Sequence, residues 1–228
     1  MEKVVEIKDI EKTYYLGKTE IKALQGINLQ IKNKGKFICI CGPSGSGKTT
    51  LLNLIGCLDR PTRGDITVLD MQVLALSDTK LSELRNRHIG FIFQTFNLIP
   101  VLSAYENVEY PLLIQGVSGR ERKKRVLQML EEVRLIEFKN HRPDELSGGQ
   151  RQRVSIARAL VTLPEIVLAD EPTANLDTMT GEAILELMRK ISKEHLITFI
   201  FSTHDHKILN YAEKIYYLRD GKISLKEG

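Results

Sequence analysis

The chain has little of what marks secreted, disordered or membrane-embedded proteins. Across 228 residues no apolar run approaches the roughly 18 residues of a spanning helix, so none is expected. Only 7 prolines, beside 42% apolar and 27% charged residues, exclude a disordered chain and leave ample material for a core. Cysteine is scarce and odd in number. Cys39 and Cys41 lie two apart in an apolar run, on one face of a strand and too close in sequence for an easy bridge. With Cys57 they are expected as small buried hydrophobes rather than as a metal or redox set. The start, MEKVVEIKDIEK, has acidic residues where a secretory signal has a basic region followed by an apolar one, which predicts a cytosolic chain. Neither sign of charge dominates: 33 basic and 29 acidic residues are interspersed, and the net +4 permits an anionic partner without arguing for nucleic acid.

What is present reads as one α/β unit, or two closely joined lobes. Residues 2–31 alternate apolar and polar at Val5 and Ile7 and again at Ile27, Leu29 and Ile31, which predicts short antiparallel strands joined near Gly17. Phe37 to Cys41 is continuously apolar and ends at Gly42 and Pro43, as a strand buried on both faces does. Leu51, Ile55 and Leu58 then recur at helical spacing until Pro61 and Gly64, before a strand at Ile66 to Leu69. Another strand, Ile89 to Phe93, precedes about sixty-five residues of helical pattern with a stripe at Val126, Leu130 and Val133. The basic run Arg120 to Arg125 fits a solvated helix face. Strand character returns at Ile166 to Ala169 and Ile197 to Phe201, and Asp220-Gly221 signals a final hairpin.

The chemistry is concentrated in a few motifs. Gly42-Pro43-Ser44-Gly45-Ser46-Gly47-Lys48-Thr49, followed by Thr50, fits GxxxxGK[ST] and stands between a buried strand and an amphipathic helix. Glycines there let backbone N–H groups curl round a phosphate, and the helix N-terminus adds partial positive charge. Lys48 is placed to reach β and γ phosphates, and the Thr49 hydroxyl to hold Mg²⁺. IVLADE, residues 166–171, supplies a second magnesium anchor in Asp170 and a proton acceptor for an attacking water in Glu171. LSGGQ puts Ser147 at a helix N-cap, with Gly148, Gly149 and Gln150 allowing close approach to the helix start. Two anion sites on opposite lobes are most simply reconciled if each completes the other's pocket across a symmetric dimer.

Taken in order, GPSGSGKT, Gln94 after a strand, LSGGQ, IVLADE, Asn175-Leu176-Asp177 and the Ser-Thr-His-Asp containing His204 resemble an ATP-binding cassette (ABC) subunit from Val4 to Lys222. The stretches IGCLDRPTRGDI, IGFIFQTFNLIPVLSAYENVEYPL and LADEPTANLD look like the group of the MacB macrolide exporter, the LolD lipoprotein-release ATPase and related peptide-resistance transporters. The resemblance implies a P-loop NTPase core with a mainly parallel sheet, an antiparallel β flank and an inserted helical subdomain. It divides the single domain 1–228 into a core of 1–94 and 161–228 and a helical signalling part of 95–160. It implies ATP and Mg²⁺ as cofactors, with Tyr14 as the adenine platform, favoured over adjacent Tyr15 only by alignment to Lys-Thr-Tyr. Gln94 becomes a magnesium ligand and sensor, Asp177 a contact across the dimer, and His204 a γ-phosphate switch. The implied protein is an ATPase, a homodimer when ATP-bound, held to the cytoplasmic face of the membrane by a separate permease. An FtsE-like cell-division ATPase uses the same parts. A nucleic-acid-associated cassette would need a coiled-coil insertion or a second GxxxxGKT, and a P-loop kinase has no reason to contain LSGGQ.

Overall fold

The structure, a computed structural model, describes residues 3–225, so the outermost ends of the 1–228 domain assignment lie outside the described residues. In chain order the strands are β1 (Lys3–Leu16), β2 (Thr19–Lys32), β3 (Phe37–Cys41), β4 (Arg63–Val68), β5 (Met71–Gln72), β6 (Ile89–Ile92), β7 (Ile166–Asp170), β8 (Thr198–Thr203), β9 (Lys214–Arg219) and β10 (Lys222–Leu225). The helices are α1 (Lys48–Ile55), α2 (Asp78–His88), α3 (Ala104–Ile114), α4 (Gly119–Glu132), α5 (Gly148–Leu160) and α6 (Thr178–His195). One sheet is antiparallel, in the order β2-β1-β4-β5, and the other runs β10-β9-β3-β8-β7-β6. In the second sheet every neighbouring pair is parallel except β9 with β10.

The continuous apolar runs follow from burial on both faces. Along β3, Phe37, Cys39 and Cys41 point into a core shared with α3 to α6, whereas Ile38 and Ile40 point into a second core shared with α1, α2 and the antiparallel sheet. The same period of two sorts Val167 and Ala169 from Ile166 and Leu168, and Phe199 and Phe201 from Ile200. Phe37 packs against Phe201 with ring centroids 4.9 Å apart, and each such buried side chain contributes roughly 1.5–3 kcal/mol. All three cysteines are free and buried, as expected.

The N-terminal flank differs in length from the expectation. Instead of several short strands it holds two of 14 residues in one hairpin. Its register shifts between Ile7 and Ile10 and again before Lys12, with Asp9 and Gly26 both at positive φ. That irregularity lets Val5, Ile7 and Ile10 all reach the core, and it interrupts the alternation by which a long strand is recognised. Leu58 is also corrected. α1 ends at Ile55, Cys57 turns the chain at φ 55°, and Leu58 is exposed rather than on the helix's apolar face. Helices α2 and α6 add to the expected elements. α2 is polar apart from buried Leu81 and Leu84, while α6 buries Ile184, Leu185, Met188 and Ile191. At the final hairpin, Asp220 and Gly221 both adopt positive φ, as a two-residue turn between strands requires.

Candidate functional site

β3, β8 and β7 are neighbours in the parallel sheet, so their C-terminal ends bring three loops together at one edge. There the chain leaves a cavity of about 1010 Å³. The loop after β3 is shaped by close approach. A Cβ on Gly42 would stand 2.0 Å from the Leu218 carbonyl oxygen, and one on Gly47, at φ 104°, would stand 2.5 Å from that of Ala23. Only glycine fits either position, and Gly47 is the N-cap of α1, whose first residues Lys48 and Thr49 line the cavity.

Lys48, almost fully buried, donates to the carbonyl oxygens of Gly42 at 2.9 Å and Pro43 at 3.0 Å and lies 3.4 Å from Glu171 Oε1. The Thr49 hydroxyl donates to Asp170 Oδ2 at 2.7 Å, while Ser202 donates to the other carboxylate oxygen at 2.5 Å. Ser202 also accepts from the Glu171 N–H at 3.0 Å. Glu171 sits at φ 45°, a left-handed conformation that a non-glycine residue holds only when its surroundings enforce it. The result turns Glu171 away from the line of β7, where its Oε1 meets His204 Nδ1 at 3.0 Å. Ser202 was not among the residues expected here; its only sequence signal is a hydroxyl directly after the apolar run of residues 199–201 in β8.

Of the expected residues, Tyr14, Gly42, Pro43, Ser44, Gly45, Gly47, Lys48, Thr49, Thr50, Gln94, Asp170, Glu171 and His204 all line this cavity. Ser46 is not in its wall, and its hydroxyl is buried. Tyr15 is 72% exposed and does not line the cavity. Ser147, Gly148, Gly149, Gln150 and Asp177 are also absent from its wall. Ser147 instead caps α5: its hydroxyl accepts from the Gln150 N–H at 3.3 Å, and the Gln150 side chain accepts from the Ser147 N–H at 2.8 Å. A Cβ on Gly149 would meet the Thr180 methyl at 2.7 Å, so this helix start is packed against the first turn of α6. Asp177 caps that helix by accepting from the Thr180 N–H at 3.0 Å. Its hydrogen bonds from Thr180 hold the Asp177 carboxyl below the usual range.

Gln94 connects the two regions. Its carbonyl accepts from Asn175 Nδ2 at 2.8 Å, beside the Asp177 segment, and the loop that follows it is clasped by the helical part. Arg158 of α5 donates to the carbonyls of Phe96 and Asn97. Buried Asn107 of α3 accepts from the Ile99 N–H at 2.8 Å and donates to the carbonyls of Ile99, Leu102 and Ser103. The apolar residues around Pro100 are therefore largely accounted for. Phe96, Leu98, Ile99 and Leu102 are half-buried, Leu98 packs on the core, and Val101 alone of the group is 71% exposed.

Together the fold and the cavity define a phosphate-loop nucleotide hydrolase. The chain belongs to the ABC transporter family, whose pattern matches residues 24–174. It is 48% identical over 228 residues to the ABC transporter ATP-binding protein MJ0796 of Methanocaldococcus jannaschii, covering 98% of this chain and 97% of that one. A solved dimer of MJ0796 in a post-hydrolysis state with ADP and Pi superposes with a TM-score of 0.89 at 47% identity, covering 98% and 99% of the two chains. The lipoprotein-releasing ATP-binding protein LolD of Pseudoalteromonas translucida is 43% identical over 98% of this chain and 96% of its own. The macrolide export protein MacB of Syntrophobacter fumaroxidans is 44% identical over 99% of this chain, which spans 32% of that longer ATP-binding and permease polypeptide. The chain is thus an ATP-hydrolysing subunit of this family. No helix among the described residues is long and apolar enough to cross a membrane.

Proposed function

We propose that ATP with Mg²⁺ is bound in the cavity at the ends of β3, β7 and β8 and hydrolysed there, in a head-to-tail dimer that drives a separate membrane permease of the MacB and LolD type. The observation that carries this reading is the convergence on one cavity of Lys48, the Thr49–Asp170 pair and the Glu171–His204 pair, while Ser147 to Gln150 stand outside it. Lys48 neutralises the β and γ phosphates, displacing its carbonyl contacts and the Glu171 contact by stronger charge-assisted ones. Thr49, Asp170 and the Gln94 side chain offer hydroxyl, carboxylate and amide oxygens, the hard donor set that Mg²⁺ prefers. When bound there, the ion would neutralise charge on the phosphates.

Glu171 accepts the proton of the attacking water, and the φ 45° backbone aims its carboxylate away from the magnesium donors. His204 shares that carboxylate and registers the γ phosphate. Ser147, Gly148, Gly149 and Gln150, at the start of α5, bind the nucleotide held by the partner copy, and Asp177 lies on the same face. Residues 95–160 form the helical signalling part, coupled to the cavity through Gln94 and Asn175. The permease holds the subunit at the cytoplasmic face of the membrane. Relatives whose names specify transport favour this over the FtsE-like signalling reading.

The test is a trapped dimer. Glu171→Gln keeps shape and hydrogen bonding but removes the proton acceptor. With saturating ATP and Mg²⁺ this variant should run as a dimer in light scattering, and wild type with ADP as a monomer. A variant that stays monomeric under those conditions rejects the shared-site mechanism.

A further inference from the structure

The phenol of Tyr14 is tied to a carboxylate outside the nucleotide cavity. Its hydroxyl donates to Asp59 Oδ2 at 2.7 Å, and Lys12 Nζ donates to Asp59 Oδ1 at the same distance. Lys12 also stands 4.7 Å from the centre of the Tyr14 ring and donates to the Arg60 carbonyl at 2.7 Å. Tyr14 lines the cavity while neither Lys12 nor Asp59 does, so the ring is held by groups outside the cavity wall.

Asp59 is itself anchored to the phosphate-loop helix. The N–H groups of Leu58 and Asp59 both donate to the Asn53 carbonyl of α1, at 2.8 and 3.3 Å. The Arg60 N–H donates to Asp59 Oδ1 at 2.7 Å, fixing the carboxylate's rotamer. Across the gap, the Thr13 N–H donates to Thr62 Oγ1 at 3.0 Å and the Thr62 N–H to the Glu11 carbonyl at 2.8 Å, which locks β1 to the same segment. An aromatic side chain near the end of a long hairpin, more than a third exposed, is thereby held in register with the helix that begins at the phosphate loop.

We infer that Asp59 is a positioning residue for nucleotide binding, which sets the Tyr14 ring at a fixed place relative to the phosphate loop so that base and phosphates are engaged together. The inference rests on the reading of Tyr14 as the adenine platform. Electrostatics agree with the geometry. Burial pushes the Asp59 carboxyl up, but hydrogen bonds from Lys12, Tyr14 and the Arg60 N–H outweigh it and keep the group ionised below the usual aspartate range. Burial and then Asp59 raise the Tyr14 phenol, which stays protonated and able to donate. A ring already fixed loses little further freedom when a base stacks on it, so the tether acts on affinity rather than on the chemical step.

The experiment compares the KM for ATP and kcat of Tyr14→Phe, Asp59→Ala, Asp59→Asn, the Tyr14→Phe/Asp59→Ala double variant and Tyr14→Ala. Tyr14→Phe keeps the ring and loses only the tether, so it should raise KM about three- to tenfold with kcat within about twofold. Asp59→Ala should do the same, and the double variant should be no worse than either single one. Asp59→Asn has one acceptor oxygen for donors that Asp59 meets with two, so its KM should lie between those of wild type and Asp59→Ala. A Tyr14→Phe protein with unchanged KM overturns the proposal, as does an Asp59→Ala effect of full size in the Tyr14→Phe background. Unchanged KM in Tyr14→Ala would instead reject the platform reading itself, which separates the two failures.

Discussion

His204 Nδ1 lies 3.0 Å from Glu171 Oε1, the same carboxylate oxygen that stands 3.4 Å from Lys48 Nζ. One oxygen thus faces two nitrogen groups that both also line the cavity; on the proposed reading, a γ phosphate bound there would compete for both and free the carboxylate to accept a proton. Glu171→Gln should lower steady-state phosphate release by about 100-fold or more, with ATP affinity within a few-fold of wild type. His204→Ala should reduce turnover by about tenfold or more, again with little loss of binding. Wild-type turnover in either variant would reject the assigned role of that residue.

Lys48 is held in place by two carbonyls of its own loop, which points its charge at the loop's concave side. Lys48→Ala removes a charge-assisted contact to phosphate worth about 1.5–3 kcal/mol, roughly a tenfold to hundredfold loss of ATP affinity. Equilibrium binding of a fluorescent ATP analogue measures it. Unchanged affinity and turnover would move the nucleotide to another site.

The features legible in the sequence are those whose function is carried by the local backbone. GPSGSGKT contains its own turn requirements, and its flanking strand and helix are contiguous with it. IVLADE shows a buried strand ending in carboxylates for the same reason. What escaped are partners distant in sequence: Ser202 holds Asp170 from 32 residues away, and Asp59 holds Tyr14 from 45. Asn107 looks like an ordinary polar residue on a helix, yet it is buried and clasps the loop that follows Gln94. The helix α2 was hidden by composition, because DTKLSELRNRH buries only two leucines. In the hairpin of β1 and β2, positive φ at Asp9 and Gly26 broke the alternation that would have revealed two long strands.

The three cysteines give a prediction independent of nucleotide chemistry. Burial pushes the Cys57 thiol up to about 11 and raises Cys39 and Cys41 as well. At pH 8 the native protein should react negligibly with a thiol-specific disulfide reagent over minutes, and three thiols should react once it is unfolded. The sign for stability follows from the raised folded value. The native state retains a proton that the unfolded thiol loses, so for Cys57 stability is retained below about pH 9 and declines as pH rises from there through about 11. A fast-reacting thiol in the native protein would place a cysteine at the surface.

Permease docking should depend on the outward face of α3 rather than on the loop before it. Tyr110, Leu113 and Ile114 are exposed and stand at i, i+3 and i+4 on one helix face, with Val101 exposed in the preceding loop. Beside Pro111, on the same helix, a groove of about 210 Å³ reaches Phe91 of the edge strand β6, Phe93 just beyond it and Arg158 of α5. In the loop before α3, Leu98 packs on the core and the Ile99 backbone is held by Asn107, so polar replacements there would disturb packing as well as any docking. Replacing Leu113 and Ile114 together by glutamate buries no charge and breaks no hydrogen bond of the loop. ATP hydrolysis by the isolated subunit should therefore stay within a few-fold of wild type, while co-purification with the permease is lost. Asn107→Ala serves as the contrasting variant. It strands the buried N–H of Ile99 and carbonyls that shared one side chain, at a cost of about 2–4 kcal/mol, so it should lower the melting temperature measurably. If the Leu113 and Ile114 double variant still co-purifies with the permease, the docking surface lies on another face. If its melting temperature falls as that of Asn107→Ala should, this face of α3 is packed in the folded subunit and offers no docking surface.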